Sequence, residues 1–144
     1  MIYIKDFLCA FVAVVAFAVL MLAPKKSIYV SAPVSALGYV LYDLIFLNSG
    51  QMYIGYFVAT LTVALCGEIA ARKMKMPSIV FIFPGIIPLV PGCGLYYTML
   101  ALIKNDFAGF QEQAVQTLLI ALTIAFGVAI TNIFVRRFFT LQKA

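Results

Sequence analysis

The chain has 144 residues, of which 65% are hydrophobic and only 10% are charged. A soluble domain of this length needs far more polar surface, so a water-soluble globular protein is excluded. The net charge of +5 does not indicate nucleic-acid binding, because the basic residues stand at the ends of apolar runs and form no patch.

Five apolar runs are each long enough to cross a bilayer, which takes roughly 20 residues. They predict an all-α polytopic membrane protein with one transmembrane domain over residues 1–144. The spans lie at about 7–23, 28–47, 52–71, 79–103 and 114–135. We interpret the first run as a span and not as a signal peptide, because it lacks a strong basic flank and an Ala-x-Ala cleavage pattern.

Positive charges are distributed unevenly between the two sides that these spans define. Eight follow the first, third and fifth spans and two lie opposite: Lys25, Lys26, Arg72, Lys73, Lys75, Arg136, Arg137 and Lys143 against Lys5 and Lys104. Since cytoplasmic loops carry the excess of Lys and Arg, the amino terminus is predicted outside and the carboxyl terminus in the cytoplasm. The same asymmetry favours an odd number of spans.

The fourth span is interrupted by three prolines and three glycines. They are Pro84, Gly85, Pro88, Pro91, Gly92 and Gly94. Proline breaks helices, and broken backbone at membrane depth is tolerated only where protein or a watery cavity lines it. Transporters place such breaks at their binding sites. The sequence therefore predicts that residues 84–94 are unwound inside the bilayer beside a hydrated route.

The same interruption offers groups for both ends of a small metabolite. Carbonyls freed by the prolines suit a cation, and a second half-helix starting near Gly94 presents amide N–H groups that suit a carboxylate. Tyr96, Tyr97 and Thr98 come next, with hydroxyls that can line a polar passage. The alternatives are a structural kink completed by neighbouring helices, and ordinary interfacial aromatics.

Four polar side chains near the span ends are candidates for gating or coupling. Glu68 precedes Arg72 by four residues, the favourable order for a helical ion pair. A carboxylate one turn inside the span is costly unless it is paired or hydrated, so Glu68 is either a gate or proton-coupling group or a helix-end salt bridge. Asp43 is an outer-mouth carboxylate or a water-exposed helix end, and Asn132 is a polar contact near the inner end of the fifth span.

Helix ends and small residues give three further predictions. Ser78 is placed to cap the helix that follows it. Residues 104–113 form the most polar stretch and are predicted to be a loop. The fifth span has one small face of Ala121, Ala125 and Ala129 and another of Thr123, Gly127 and Thr131, which predicts a position inside the bundle. The alternative is the ordinary composition of a membrane helix.

No cofactor or metal site is predicted. Cys9, Cys66 and Cys93 match no metal or disulfide spacing, and the chain contains no histidine. It has neither a P-loop nor a nucleophile elbow, which argues against an enzyme and against ATP-driven transport by this chain alone.

Four stretches of the sequence, Glu68–Arg72, Met76–Phe81, Pro84–Gly92 and Tyr96–Met99, resemble the threonine/serine exporter family. The likeness is to its small, separately encoded subunit, which corresponds to the carboxyl-terminal half of the fused exporters. The resemblance implies export of small hydrophilic metabolites, threonine and serine in some members and dicarboxylates such as succinate in others. It also implies drive by the proton-motive force, a bacterial cytoplasmic (inner) membrane, and a larger partner subunit.

We therefore expect a subunit of a secondary exporter, embedded in the lipid bilayer and handling a small polar metabolite. Five spans with short loops are few for building two gates, so a heteromer with the larger subunit, or a homo-oligomer, is expected. The alternative is a non-transporting membrane subunit that assembles or stabilises a larger complex.

Overall fold

The computed structural model describes the backbone of residues 2–141 and the side chains of residues 3–135 and of Arg137. This range contains six α-helices and no strand. The helices are α1 (Ile2–Leu20), α2 (Lys25–Ser49), α3 (Met52–Met74), α4 (Ile79–Ile86), α5 (Gly92–Ile103) and α6 (Phe107–Leu141), with a 3₁₀ turn at Ile87–Leu89. The predicted all-α class is confirmed, and most helices extend a few residues beyond the predicted spans.

Four helices, α1, α2, α3 and α6, are long and apolar enough to cross a membrane. Helices α4 and α5 together form a fifth apolar segment, which bends by 52° at its break. We call this pair the broken span. The architecture is therefore that of a polytopic membrane protein with four continuous apolar helices and one bent segment.

Helix α3 lies at the centre of the bundle. It packs against α2, α4 and α6, while α1 covers α2 and α5 lies along α6. Half of the apolar stretch of α3 is buried, against 17–28% in the other three long helices. Because α3 touches three neighbours, a polar side chain on its surface can reach a space between helices without facing lipid.

Helix α6 runs parallel to α3. Gln116, in the first third of α6, contacts Met52, the first residue of α3, with 3.9 Å between Nε2 and Sδ, and Gly127 packs closely on Thr60 further along. The close approach depends on Gly127, since a Cβ there would lie 3.0 Å from a methyl group of Thr60. The second halves of α3 and α6 therefore end on the same side of the bundle.

The broken span connects the two ends of the bundle. Its first residue, Ile79, shares a crevice with Arg72 and Asn132 at the end where α3 and α6 finish. Its second half packs on the first half of α6, with Gly94 against Thr117, and leads directly into the turn before α6. Such a path agrees with an odd number of crossings.

Basic residues follow the same division. Those after α1 and α3 lie at the end that carries the crevice, whereas Lys5 and Lys104 lie at the other end. The side chain of Arg136 and all of Lys143 fall outside the described residues. We call the crevice-bearing end the basic end.

The break in the fourth span is shorter than the sequence predicts. Pro84 and Gly85 lie inside α4, Pro88 lies in the 3₁₀ turn, and α5 already begins at Gly92, so only residues 90–91 belong to no helix. Pro88 and Pro91 occupy the start of a 3₁₀ turn and the position before a helix, where a backbone N–H is not needed. The prediction of unwound backbone over 84–94 is therefore wrong for most of that stretch.

The last helix begins earlier than predicted. Only residues 104–106 form a turn, and Asp106 Oδ1 accepts a hydrogen bond from the Gly109 N–H at 3.0 Å, a helix cap. The loop predicted over 104–113 is thus wrong beyond its first residues. Ser78, in contrast, makes no capping hydrogen bond with its side chain.

The two small faces of α6 have different surroundings. Gly127 and Thr131 are buried, and Gly127 lies against α3. Ala121, Ala125 and Ala129 are exposed. Helix α6 therefore sits at the edge of the described bundle, and the prediction that it lies inside is wrong for this chain taken alone.

Candidate functional site

Glu68 is a carboxylate buried in the second half of α3, with only 11% of its side chain exposed. Arg72 Nη1 lies 2.6 Å from Glu68 Oε2 and 3.2 Å from the Glu68 carbonyl oxygen. The ion pair predicted from the i, i+4 spacing is therefore present. Gly67 lets α4 close over this part of α3, because a Cβ there would lie 2.7 Å from the Ile82 side chain.

The ion pair faces an open crevice of about 660 Å³ between α3, α4 and α6. Its polar lining consists of Glu68 and Arg72 from α3, Ser78 just before α4, and Asn132 from α6. The rest of the lining is apolar and consists of Ile79, Ile82, Phe83, Ile86, Val128 and Ile133. We call this space the basic-end crevice. It unites three of the four residues predicted for gating or coupling.

The polar lining can bind both charged ends of a small solute. The guanidinium of Arg72 is an obligate donor that suits a carboxylate, and the Glu68 carboxylate can accept hydrogen bonds from an ammonium group. The Asn132 amide and the Ser78 hydroxyl each donate and accept. Arg72 is one-third exposed, so its side chain is accessible from the crevice while it pairs with Glu68.

The break in the fourth span adjoins this crevice. Ile86, the last residue of α4, lines the crevice, and the 3₁₀ turn follows at once. The Ser35 hydroxyl of α2 donates a buried hydrogen bond to the Gly85 carbonyl at 2.5 Å. Pro88, three residues after Gly85, has no N–H for a 3₁₀ hydrogen bond to that carbonyl, so Ser35 supplies the missing donor.

Residues predicted to bind substrate at the break do not line the basic-end crevice. Pro84 and Gly85 are buried against neighbouring helices, Pro88 and Pro91 are half-buried, and Gly92 is exposed. Leu89, in the 3₁₀ turn, belongs to a core cluster with Ala59, Val63, Ile120 and Ile124. The turn is therefore held in the protein core, next to the crevice and not inside it.

Beyond the break, the predicted polar residues have separate surroundings. Thr98 is buried, and its hydroxyl donates to the Gly94 carbonyl at 2.7 Å within α5. Tyr96 and Tyr97 are exposed, with ring centroids 5.4 Å apart in an edge-to-face arrangement. Neither ring reaches the basic-end crevice.

Asp43 is the one candidate for gating or coupling that lies elsewhere. It is half-buried in the second half of α2, and Tyr42 beside it stacks near Tyr56 of α3 with 4.3 Å between ring centroids. A second open crevice, of about 630 Å³, lies between the starts of α3 and α6 and includes Tyr53, Gln111, Glu112 and Gln116. Asp43 lines neither crevice.

A family model described as "Threonine/Serine exporter, ThrE" matches residues 6–134 of the chain, which include every candidate residue described above. The chain belongs to this family. The resemblance seen in the sequence is thereby confirmed, and membership in an exporter family supports a role in membrane transport.

A curated relative from Corynebacterium glutamicum, named "Threonine/serine exporter", is 29% identical to this exporter-family chain over 127 residues. The alignment covers 88% of the chain and 26% of the relative, so the chain spans about a quarter of the length of that protein. No solved structure matches the chain.

Sequence reasoning missed two features of the basic-end crevice. Ser78 was placed as a helix cap, whereas its side chain lines the crevice. Asn132 was not connected with Glu68, which lies far away in the sequence. The i, i+4 pattern finds partners on one helix, but a contact between α3 and α6 leaves no such signal in a single sequence.

Proposed function

We propose that this chain is the membrane subunit of a secondary exporter of small hydrophilic metabolites, either amino acids of the threonine and serine type or dicarboxylates. Membership in an exporter family and the name of the Corynebacterium glutamicum relative support the proposal. The proposed driving force is the proton-motive force. Transport requires no bond to be made or broken in the substrate, so we propose no enzymatic activity.

The observation that carries the proposal is the basic-end crevice. A buried carboxylate and a guanidinium from α3 and an amide from α6 converge there, and the crevice ends at a broken span. Ionisable residues at membrane depth are costly and mark transport pathways. Broken helices in transporters lie at the substrate site.

The geometry suggests how substrate and proton are exchanged. A substrate carboxylate binds Arg72, while its ammonium group and a proton compete for the Glu68 carboxylate. Exchange of substrate against protons requires such competition, because a proton on the carboxylate displaces the substrate and the substrate displaces the proton. The neighbouring 3₁₀ turn is the proposed point at which the route continues across the membrane.

A second protein is proposed to complete the route. The relative contains roughly three-quarters of its length outside the aligned region, and a larger subunit of the same family is the proposed source of an equivalent segment. The exposed alanine face of α6 and the open side of the crevice offer surfaces for it. A homo-oligomer is the alternative assembly.

The proposed location is the bacterial cytoplasmic (inner) membrane. The excess of Lys and Arg at the basic end supports a cytoplasmic position for that end. The carboxyl terminus then lies in the cytoplasm, the amino terminus lies outside, and the crevice opens toward the cytoplasmic substrate pool.

Export measurements test the proposal. Cells lacking the chain are complemented with wild type, Glu68→Gln or Asn132→Ala, loaded with threonine, serine or succinate, and followed for efflux. Both variants are expected to lower export of the transported solute about tenfold, since each removes a charged or polar contact to it. Glu112→Gln, the same acid-to-amide change in an exposed residue at the opposite end, is the matched control and keeps wild-type export.

The alternative function, assembly or stabilisation of a larger complex, gives a different result. If deletion of the chain abolishes export while Glu68→Gln and Asn132→Ala export at the wild-type rate, the chain supports a route formed by other subunits. Membrane abundance and co-purification of the partner are measured in each strain, so that loss of assembly is not mistaken for loss of transport.

Hydration of the break is tested with native cysteines. Cys9 in α1 and Cys93 in α5 are both exposed in the described chain. Hydrophilic thiol reagents modify thiolates, which form in water and not in lipid. In single-cysteine proteins, Cys93 is expected to react faster than Cys9, and equal slow rates would contradict a hydrated route at the break.

A further inference from the structure

A groove with only apolar side chains lies at the basic end, beside the basic-end crevice. It has a volume of about 270 Å³ and opens to the surface of the bundle. Its lining comes from residues 21–24, which connect α1 to α2, and from Ile79, Val80, Phe83 and Pro84 of α4. We call this space the turn groove. Because none of these side chains is charged or carries a hydroxyl or amide group, the groove suits a hydrocarbon chain.

One ridge of α4 separates the turn groove from the basic-end crevice. Ile79 and Phe83 lie one helical turn apart, are exposed, and line both spaces. Ile82 lines only the crevice, whereas Val80 and Pro84 line only the turn groove. The turn groove is therefore distinct from the proposed substrate site, and an occupant of the groove would contact the same helix that walls the crevice.

Leu22 lines the turn groove in a backbone conformation that glycine normally takes. Its φ is 54°, and the Ala23 N–H donates to the Ala18 carbonyl at 2.9 Å, which closes the end of α1. A leucine at positive φ is costly, because its Cβ crowds the backbone. The side chain is 91% exposed, so packing within the described chain does not offset that cost. Contact with an apolar ligand in the groove would offset it.

Exposed lysines stand beside the turn groove. Lys25 and Lys26 directly follow its lining residue Pro24, and Lys75 lies in the turn that leads from α3 into α4. None of the three lysines forms a salt bridge within the described chain. The positive end of the α2 dipole, at Lys25, adds to their charge. Basic residues near a membrane surface attract anionic lipids, so these charges favour a negatively charged headgroup beside the groove.

We propose that the turn groove binds an anionic phospholipid, with one acyl chain in the groove and the phosphate on Lys25 and Lys26. The apolar lining accounts for the chain, and the lysines account for the charge of the headgroup. A zwitterionic phospholipid has the same chains without a net charge, so it gains less from the lysines. A small soluble anion would meet the lysines and leave the apolar lining, including Leu22, without a partner.

Binding is tested on the full chain in detergent by native mass spectrometry. The probes are phosphatidylglycerol and phosphatidylcholine with identical acyl chains, which differ in the net charge of the headgroup. Wild type is expected to retain phosphatidylglycerol in preference to phosphatidylcholine. Lys25→Gln/Lys26→Gln is expected to lower the affinity for phosphatidylglycerol about tenfold, because two charges beside the phosphate are lost. Lys5→Gln/Lys104→Gln makes the same change in two exposed lysines at the opposite end, and this matched control keeps wild-type affinity.

Leu22→Gly tests the acyl-chain contact separately from the charge. Glycine suits the positive φ at this position, so the melting temperature is expected to stay the same or rise. The affinity for phosphatidylglycerol is expected to fall severalfold, because apolar contact with the chain is lost. Glycerol 3-phosphate, which carries the headgroup charge without acyl chains, is expected not to displace the lipid.

Three results would each overturn the inference. They are equal retention of the two phospholipids by wild type, equal losses in the two lysine pairs, and wild-type affinity in Leu22→Gly. Displacement of the lipid by glycerol 3-phosphate would also reject the groove, since it would mean that surface charge alone binds the headgroup. None of these measurements involves export, so a negative result leaves the proposed function standing.

Discussion

At the scale of single residues, the ion pair in α3 determines the chemistry of the crevice. Glu68 is buried, and its charge is compensated by the Arg72 guanidinium on the next turn. A buried carboxylate that loses its partner costs more free energy than a pair removed together. Loss of Arg72 alone is therefore expected to destabilise α3 more than loss of both partners.

Comparing removal of Arg72 alone with removal of both partners tests this difference. Arg72→Gln is expected to lower the free energy of unfolding by about 1–3 kcal/mol, and the double variant Glu68→Gln/Arg72→Gln to recover part of that loss. Thermal unfolding of the solubilised protein measures both changes. Lys73→Gln, an exposed neighbour, is the control and stays within about 0.5 kcal/mol. Equal effects of the Arg72 and Lys73 changes would contradict a structural role for the pair.

At the scale of elements, the break depends on a hydrogen bond from another helix. Ser35→Ala leaves the Gly85 carbonyl without the hydroxyl that now donates to it, and is expected to destabilise the protein by about 1–3 kcal/mol. Ser31 lies one turn earlier on the same face of α2, and its buried hydroxyl has no partner in the described chain. Ser31→Ala is therefore the matched control, expected to be neutral or stabilising in the same unfolding measurement. Similar losses in both variants would show that Ser35 acts only through packing.

The contact of α5 with α6 gives a second prediction at this scale. A Cβ on Gly94 would collide with the Thr117 side chain, whereas a Cβ on Gly92 would meet nothing within 4 Å. Gly94→Ala is expected to cost about 1–3 kcal/mol of stability, and Gly92→Ala to have little effect. Thr117→Ala added to Gly94→Ala is expected to restore part of the loss. Failure of this rescue, seen in the same melting experiment, would mean that α5 does not pack on α6 as described.

The elements themselves were largely predictable from the sequence, and their ends were not. Hydropathy locates what can lie in lipid, so it found the apolar runs and missed the start of α6, where Gln111 and Glu112 are polar yet helical. Proline positions predicted the break. The Ser35 hydroxyl that completes it lies 50 residues from Gly85, and no local pattern shows that contact.

At the scale of the whole molecule, the broken span places the turns before and after it at opposite ends of the bundle. The turn at Asn105 lies at the end opposite Lys75, which follows α3. In a protein without its native cysteines, Asn105→Cys is expected to react with an impermeant thiol reagent in intact cells. Lys75→Cys is expected to react only after the membrane is opened. Labelling of both from outside would contradict the proposed orientation.

The candidate site was predictable as a set of residue types and not as an assembly. The i, i+4 spacing of Glu68 and Arg72 predicts their ion pair, and Asn132 stands out as a polar residue in an apolar span. Only the parallel packing of α6 on α3 brings Asn132 to the ion pair. That packing depends on close approach at Gly127, which composition alone does not locate.

Helix α6 packs closely on α3 where Gly127 meets Thr60, and a tilt of α6 about this contact would move its two ends in opposite directions. With a rise of about 1.5 Å per residue, Asn132 lies about 7.5 Å after Gly127 along α6, and Thr117 lies about 15 Å before it. A tilt of α6 about Gly127 would move Asn132 and Thr117 in opposite directions, and Thr117 about twice as far. In the proposed orientation, a tilt that widens the crevice beside Asn132 would therefore displace Thr117, which packs against Gly94 of α5, about twice as far.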